Sequence, residues 1–85
     1  MRVTVISPER AVFDGDATSA VAPAYDGLVG ILPRHAPFMT LLGDGTLTVR
    51  TEAGDRRFEV SRGFLQVVDD VVRVVAERAR ERKEI

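Results

Sequence analysis

The chain's single histidine, His35, sits in "GILPRHAPFMT", residues 30–40, beside Arg34 and between two prolines. An imidazole in a loop can act as a general base or bind a metal. A zinc centre takes three or four nitrogen, sulfur or carboxylate ligands, and this chain has no second histidine and no cysteine. Asp26 and Asp44 are carboxylates within reach in sequence, but one histidine with carboxylates is a weak donor set. A Ser–His–Asp arrangement would draw on Ser7, Ser19 or Ser61, and none of these lies in a G-x-S-x-G elbow. His35 therefore reads as a structural loop histidine, bonded to backbone or closing the turn.

Two other groups suggest chemistry less strongly. "GLVG" (27–30) has glycines that could cradle a phosphate, yet no Lys-Ser/Thr follows and no helix opens after it. Gly27 and Gly30 read instead as turn residues. The acid pairs Asp14/Asp16 and Asp69/Asp70 fall in expected turns, whereas glycosidase chemistry needs two carboxylates facing across a cleft. The residues thus indicate no catalytic site, no cofactor and no metal.

The elements around these residues are short valine-rich runs, separated by turn signals every eight to twelve residues, a spacing typical of an all-β sandwich or barrel. Strands are expected at 2–6, 11–13, 17–24, 28–32, 46–50, 57–61 and 64–68, with "VVDDVVRVV" forming a hairpin about Asp69 and Asp70. "DGD" (14–16) reads as a turn, and Gly63 as a break between two strands. Leu47, Val49, Phe58 and Val60 are expected to face inward. Only "AERARERKE" (76–84) has helical composition. It is too short to be stable alone, so a frayed tail or one docked turn is expected there. The division is a sandwich domain over residues 1–76 and a charged tail over 77–85.

With 85 residues, 45% of them hydrophobic and 29% charged, the composition is that of one folded domain. The N-terminus lacks the features of a signal peptide, and no apolar run approaches the ~20 residues of a membrane span. Residues 1–72 hold 7 basic and 10 acidic side chains, and residues 73–85 hold 5 and 3. A slightly acidic body is poorly suited to a polynucleotide. What remains distinctive is "ILPRHAPFM": stiffened by two prolines and carrying Ile31, Leu32, Phe38 and Met39, it is as well suited to docking a partner as to closing the sandwich.

Taken in order, "SPER-AVFDG", "PAYDGLVGILPRHAPFMT", "GDGTLTV" and "GFLQVVDDVVRVVAERA" resemble the epsilon subunit family of bacterial and chloroplast F-type ATP synthase, called delta in mitochondria. The resemblance spans residues 2–79. It implies a β-sandwich of two sheets, formed of short antiparallel strands, and a noncatalytic rotor subunit at the foot of the central stalk. Gamma and the c-ring would be its partners, with alpha and beta in the same complex. The subunit would couple ion flow through the ring to ATP synthesis, peripherally on the cytoplasmic face of a bacterial membrane.

Carried over by position, the resemblance places ring docking on Asp26, Gly27, Leu28, Val29 and Gly30, with Arg34 and His35 nearby. Many relatives carry an acid where Leu28 stands, so either Asp26 supplies the charge or the contact is apolar. Gamma docking falls on Phe38, Met39, Thr40 and Leu42. Relatives commonly continue into a helical domain that restrains ATP hydrolysis; a short form without that arm is expected. The alternatives are a free-standing β-sandwich that binds a small ligand, for which Tyr25 is the one ring expected at the surface, and a small enzyme centred on His35.

Overall fold

β-Branched residues favour a pleated, half-buried surface, and in the computed structural model, which describes residues 1–82, they form eight strands and no helix. These are β1 (Arg2–Ile6), β2 (Ala11–Asp16), β3 (Ser19–Ala24), β4 (Gly27–Ile31), β5 (Phe38–Leu41), β6 (Gly45–Thr51), β7 (Gly54–Val68) and β8 (Val71–Arg82). The hydrogen-bonded path runs β2-β1-β8-β7-β6-β3-β4, with β5 also paired to β7.

β7 and β8 are common to two layers. The first half of β7 pairs with β6, and its second half, Phe64 to Val67, pairs with β5 on the same edge. On the other side, β1 lies along Val71 to Val75 of β8. One layer is therefore β2, β1, the start of β8, the end of β7, and β5. The other is the end of β8, the start of β7, then β6, β3 and β4. The core between them holds Val3, Val5, Leu65, Val67, Val72 and Val74 from the first layer. From the second it takes Ala20, Ala22, Leu47, Val49, Phe58 and Val60.

The ribbon changes layer at Arg62 and Gly63. Inward positions are even before it (Phe58, Val60) and odd after it (Leu65, Val67), so one residue must reset the phase. Arg62 does so with φ 55°. Gly63 permits the crossing: a Cβ there would lie 1.8 Å from the Val75 carbonyl oxygen. The strand is thus continuous from 54 to 68 where the sequence suggests two, because Gly63 bends the ladder without ending it.

Three further expectations are corrected. The "DGD" segment belongs to β2, held by Arg2↔Asp16, Val3↔Gly15 and Thr4↔Asp14 pairing. β1 and β8 run parallel, so the strands are not all antiparallel, nor are β7 and β8 short. Residues 77–82, expected as a helical or frayed tail, continue β8 as strand. Their pairing with Arg57 to Ser61 outweighs a helix propensity that is only a few tenths of a kcal/mol per residue. The rest of that tail lies outside the described residues. The hairpin at Asp69 and Asp70 has φ values of 50° and 62°, the type I′ geometry that suits strand twist.

Candidate functional site

Pro33 fixes φ near that of the first central residue of a turn. The His35 N–H then donates to the Leu32 carbonyl at 3.2 Å, and Arg34 takes φ 65°. This is the geometry of a type II turn, in which the third position favours glycine. Arginine is held there by Asp70, whose Oδ1 accepts the Arg34 backbone N–H at 2.8 Å. That hydrogen bond lowers the Asp70 carboxyl pKa, opposed by partial desolvation and aided by the terminal amine, which lies 3.5 Å away. The loop is therefore fastened to the β7–β8 hairpin.

His35 has a local role. Its Nδ1 donates to the Ala36 carbonyl oxygen at 2.7 Å, and its ring lies 5.0 Å from that of Phe38. Among the described residues no group of three or more His, Cys, Asp and Glu side chains is arranged to hold a metal. Gly27, with φ 136°, closes the Tyr25–Asp26 turn between β3 and β4.

The ring-docking residues named from the resemblance fall in two places. Asp26, Gly27 and Leu28 lie at the β3–β4 hairpin tip with Tyr25, and Leu28 and Tyr25 are 76% and 69% exposed. Val29 and Gly30 continue along β4. Arg34 and His35 follow the far end of that strand, about 13 Å away at the usual rise per residue. One small contact does not gather both groups.

The gamma-docking set is split by the alternation of β5. Met39 points outward at 61% exposure, while Phe38 packs on the core and Thr40 is half-buried. Leu42 is 7% exposed, with its N–H bonded to the Gly63 carbonyl at 3.0 Å; it is a core residue and is withdrawn as a docking group. Its neighbour Leu41 is the outward residue, at 63% exposure.

Leu41 also completes a surface that the sequence reading missed. It stands opposite Phe64, Phe64 opposite Val75, and Val75 opposite Ile6. These side chains form an apolar row across four strands, about 14 Å wide at the usual strand spacing. Beside it runs the row Met39, Gln66, Arg73 and Thr4. Continuous valine runs have no period, so nothing in "VVRVV" separates inward Val72 and Val74 from outward Val71 and Val75.

Arg56 closes another rim. It forms a two-bond ion pair with Glu81, which raises its pKa, and lies 5.1 Å over the Phe13 ring. Arg2 and Asp14 form a similar pair, 2.8 Å at both bonds, which lowers the Asp14 pKa.

Residues 1–82 match the family model of the ATP synthase delta/epsilon chain β-sandwich domain. The chain is 41% identical over its full length to the ATP synthase epsilon chain of Solibacter usitatus and spans 63% of that relative. It is 40% identical to that of Moorella thermoacetica, spanning 64% of it. The Caulobacter vibrioides epsilon chain is 36% identical over 95% of this chain, and 94% of that relative is covered. The chain thus spans under two thirds of the length of the first two relatives. Among solved structures, a chain of the Euglena gracilis mitochondrial ATP synthase OSCP/F1/c-ring assembly superposes with TM-score 0.85 at 23% identity, over 93% of this chain and 51% of that one. One from the Tetrahymena thermophila central stalk and c-ring gives 0.80 at 22%, over 99% and 68%. Both likenesses establish the two-layer fold.

Proposed function

The chain belongs to the ATP synthase delta/epsilon family, and from that membership we propose that it is a noncatalytic rotor subunit of an F-type ATP synthase. Its work is to join the central-stalk gamma subunit to the c-ring, on the cytoplasmic face of a bacterial membrane. The observation that carries this reading is the family match over residues 1–82. The names of the relatives and the assemblies holding the similar folds point the same way.

Two surfaces fit the two partners. The apolar row Leu41, Phe64, Val75 and Ile6, with Met39 beside it, is a broad flat face of the kind a permanent partner covers; it is assigned to gamma. A face four strands wide is the broader of the two surfaces, and the β3–β4 tip is the narrower. The tip, with Tyr25, Asp26, Gly27 and Leu28 and the following Val29 and Gly30, is assigned to the ring. Leucine at position 28 makes that contact apolar, with Asp26 as its one charge. Arg34 and His35 shape and fasten the loop at the other end of β4.

Coupling requires that force applied to one face reach the other without yielding. β7 and β8 supply the route, since the same two strands form part of both layers, and a close-packed core resists shear. The test is to tag the chain at its C-terminus and solubilise its native membranes gently. Recovery of alpha, beta, gamma and c subunits in a complex that hydrolyses ATP is expected. Recovery of the chain alone would remove the rotor reading.

A further inference from the structure

β1 pairs with β8 only as far as Val75, because Ser7 and Pro8 then turn the chain away toward β2. Beyond that point β8 continues to Arg82 with β7 on one side. Its other edge has no backbone partner among the described residues. Such an edge is a template for a further strand, and proteins block unwanted pairing with charge. Here the charges are Arg78, Arg80 and Arg82, all exposed. Alternate residues share a face, so the three arginines are spaced about 6.7 Å apart at the backbone along the strand. Arg57, opposite Arg82, adds a fourth.

Arg82 reaches Glu59 at 3.5 Å, and Arg57 reaches Asp55 at 3.7 Å. Arg78 and Arg80 have no ion-pair partner among the described residues. On the other face, half-buried Ala79, which packs on the core, stands between Glu77, 3.9 Å from Arg62, and Glu81, which is held by Arg56. Glu59, opposite Arg80, is engaged by Arg82 and Thr46. An incoming strand therefore meets the uncommitted charges of Arg78 and Arg80 on one face and Ala79 between two paired glutamates on the other.

We propose that the Arg78–Arg82 edge of β8 accepts an extended acidic polypeptide segment by strand addition, with carboxylates at alternate positions against the arginines and small apolar residues over Ala79. Backbone pairing supplies affinity and the side-chain alternation supplies selectivity, as in other strand-addition complexes. A second copy of this chain is disfavoured, because it would bring arginine against arginine. An anionic bilayer or polynucleotide is disfavoured too, since neither offers the alternating N–H and C=O groups that would satisfy the open backbone edge of β8. This edge is separate from both surfaces assigned above, and the inference does not draw on the rotor reading.

The probe is a blocked hexapeptide of alternating glutamate and valine, titrated into the full chain while amide spectra and amide exchange are recorded. Shifts centred on residues 77–82, new exchange protection there, and weaker binding at higher salt are expected. Arg78→Gln with Arg80→Gln should weaken binding about threefold to tenfold, the loss of two exposed charge-assisted contacts, without lowering the melting temperature. Arg10→Gln should change nothing. The lysine–valine counterpart should not bind. Lack of glutamate-peptide binding, or binding indifferent to the double substitution, would overturn the proposal. Tighter capture by phosphatidylglycerol vesicles would overturn it in favour of a membrane surface. Self-association released by the double substitution, with no peptide bound by either protein, would leave the arginines as edge guards alone and also overturn it.

Discussion

Replacing Leu41 or Leu42 by alanine removes the same atoms from neighbouring residues, yet opposite consequences are expected. Leu42 is 7% exposed and belongs to the core; truncating a buried leucine costs about 2–5 kcal/mol. An 85-residue domain has roughly 4–13 kcal/mol of stability in all, so Leu42→Ala removes a large share. At about 4–8 °C per kcal/mol for this size, a loss of about 3 kcal/mol lowers the melting temperature by about 12–24 °C. Leu41 is 63% exposed, and substitution at such a site stays within about 0.5 kcal/mol. Thermal unfolding followed by circular dichroism reads both. Binding to purified gamma, measured at a temperature where both variants are folded, should weaken for Leu41→Ala and hold for Leu42→Ala. A lower melting point for Leu41→Ala than for Leu42→Ala would refute the alternation of β5, and with it the apolar face built on that strand.

Gly63→Ala places a Cβ against the backbone of β8, 1.8 Å from the Val75 oxygen, and should cost about 3 kcal/mol or more, the upper range for overpacking; urea denaturation checks it. Gly30→Ala meets nothing within 4 Å and should leave the urea midpoint unchanged or slightly raised. Asp70 titrates below its unfolded value because it holds the Arg34 N–H. Its contribution is therefore present above about pH 4, the unfolded carboxylate value, and is lost as pH falls through the lower folded value. Asp70→Asn, which tolerates the same positive φ, should flatten that acid-side decline, and melting temperature against pH measures it. The remaining slope should shrink again with Asp14→Asn, since Arg2 lowers Asp14 in the same way.

Much of this fold is legible locally. Alternation puts Leu47, Val49, Phe58 and Val60 inside, and the Asp69–Asp70 pair marks its hairpin, because side-chain period and turn chemistry act over a few residues. What escapes is set by distant partners. Residues 77–82 have helical composition, but β7 lies alongside and takes them as strand. Gly63 looks like a terminator, although the Val75 carbonyl that makes it necessary is 12 residues away. The site behaves likewise. His35 attracts attention as the lone imidazole, while the residue that fastens its loop is Asp70, whose connection to Arg34 spans 36 positions. In sequence β5 reads as loop because its four residues follow two prolines, and without it neither the outward Leu41 nor its row with Phe64, Val75 and Ile6 can be found.

The central claim is that this domain grips the central stalk through the outer face of β5, β7, β8 and β1. The most direct measurement is the binding of purified gamma subunit from the same organism to the chain and to its Met39→Asp, Leu41→Asp variant, by titration calorimetry with unfolding curves alongside. A one-to-one complex with the unmodified chain, lost in a variant that still folds, is the predicted result. Equal binding by both proteins would contradict the face assigned here, and no binding by the unmodified chain would contradict the rotor role itself.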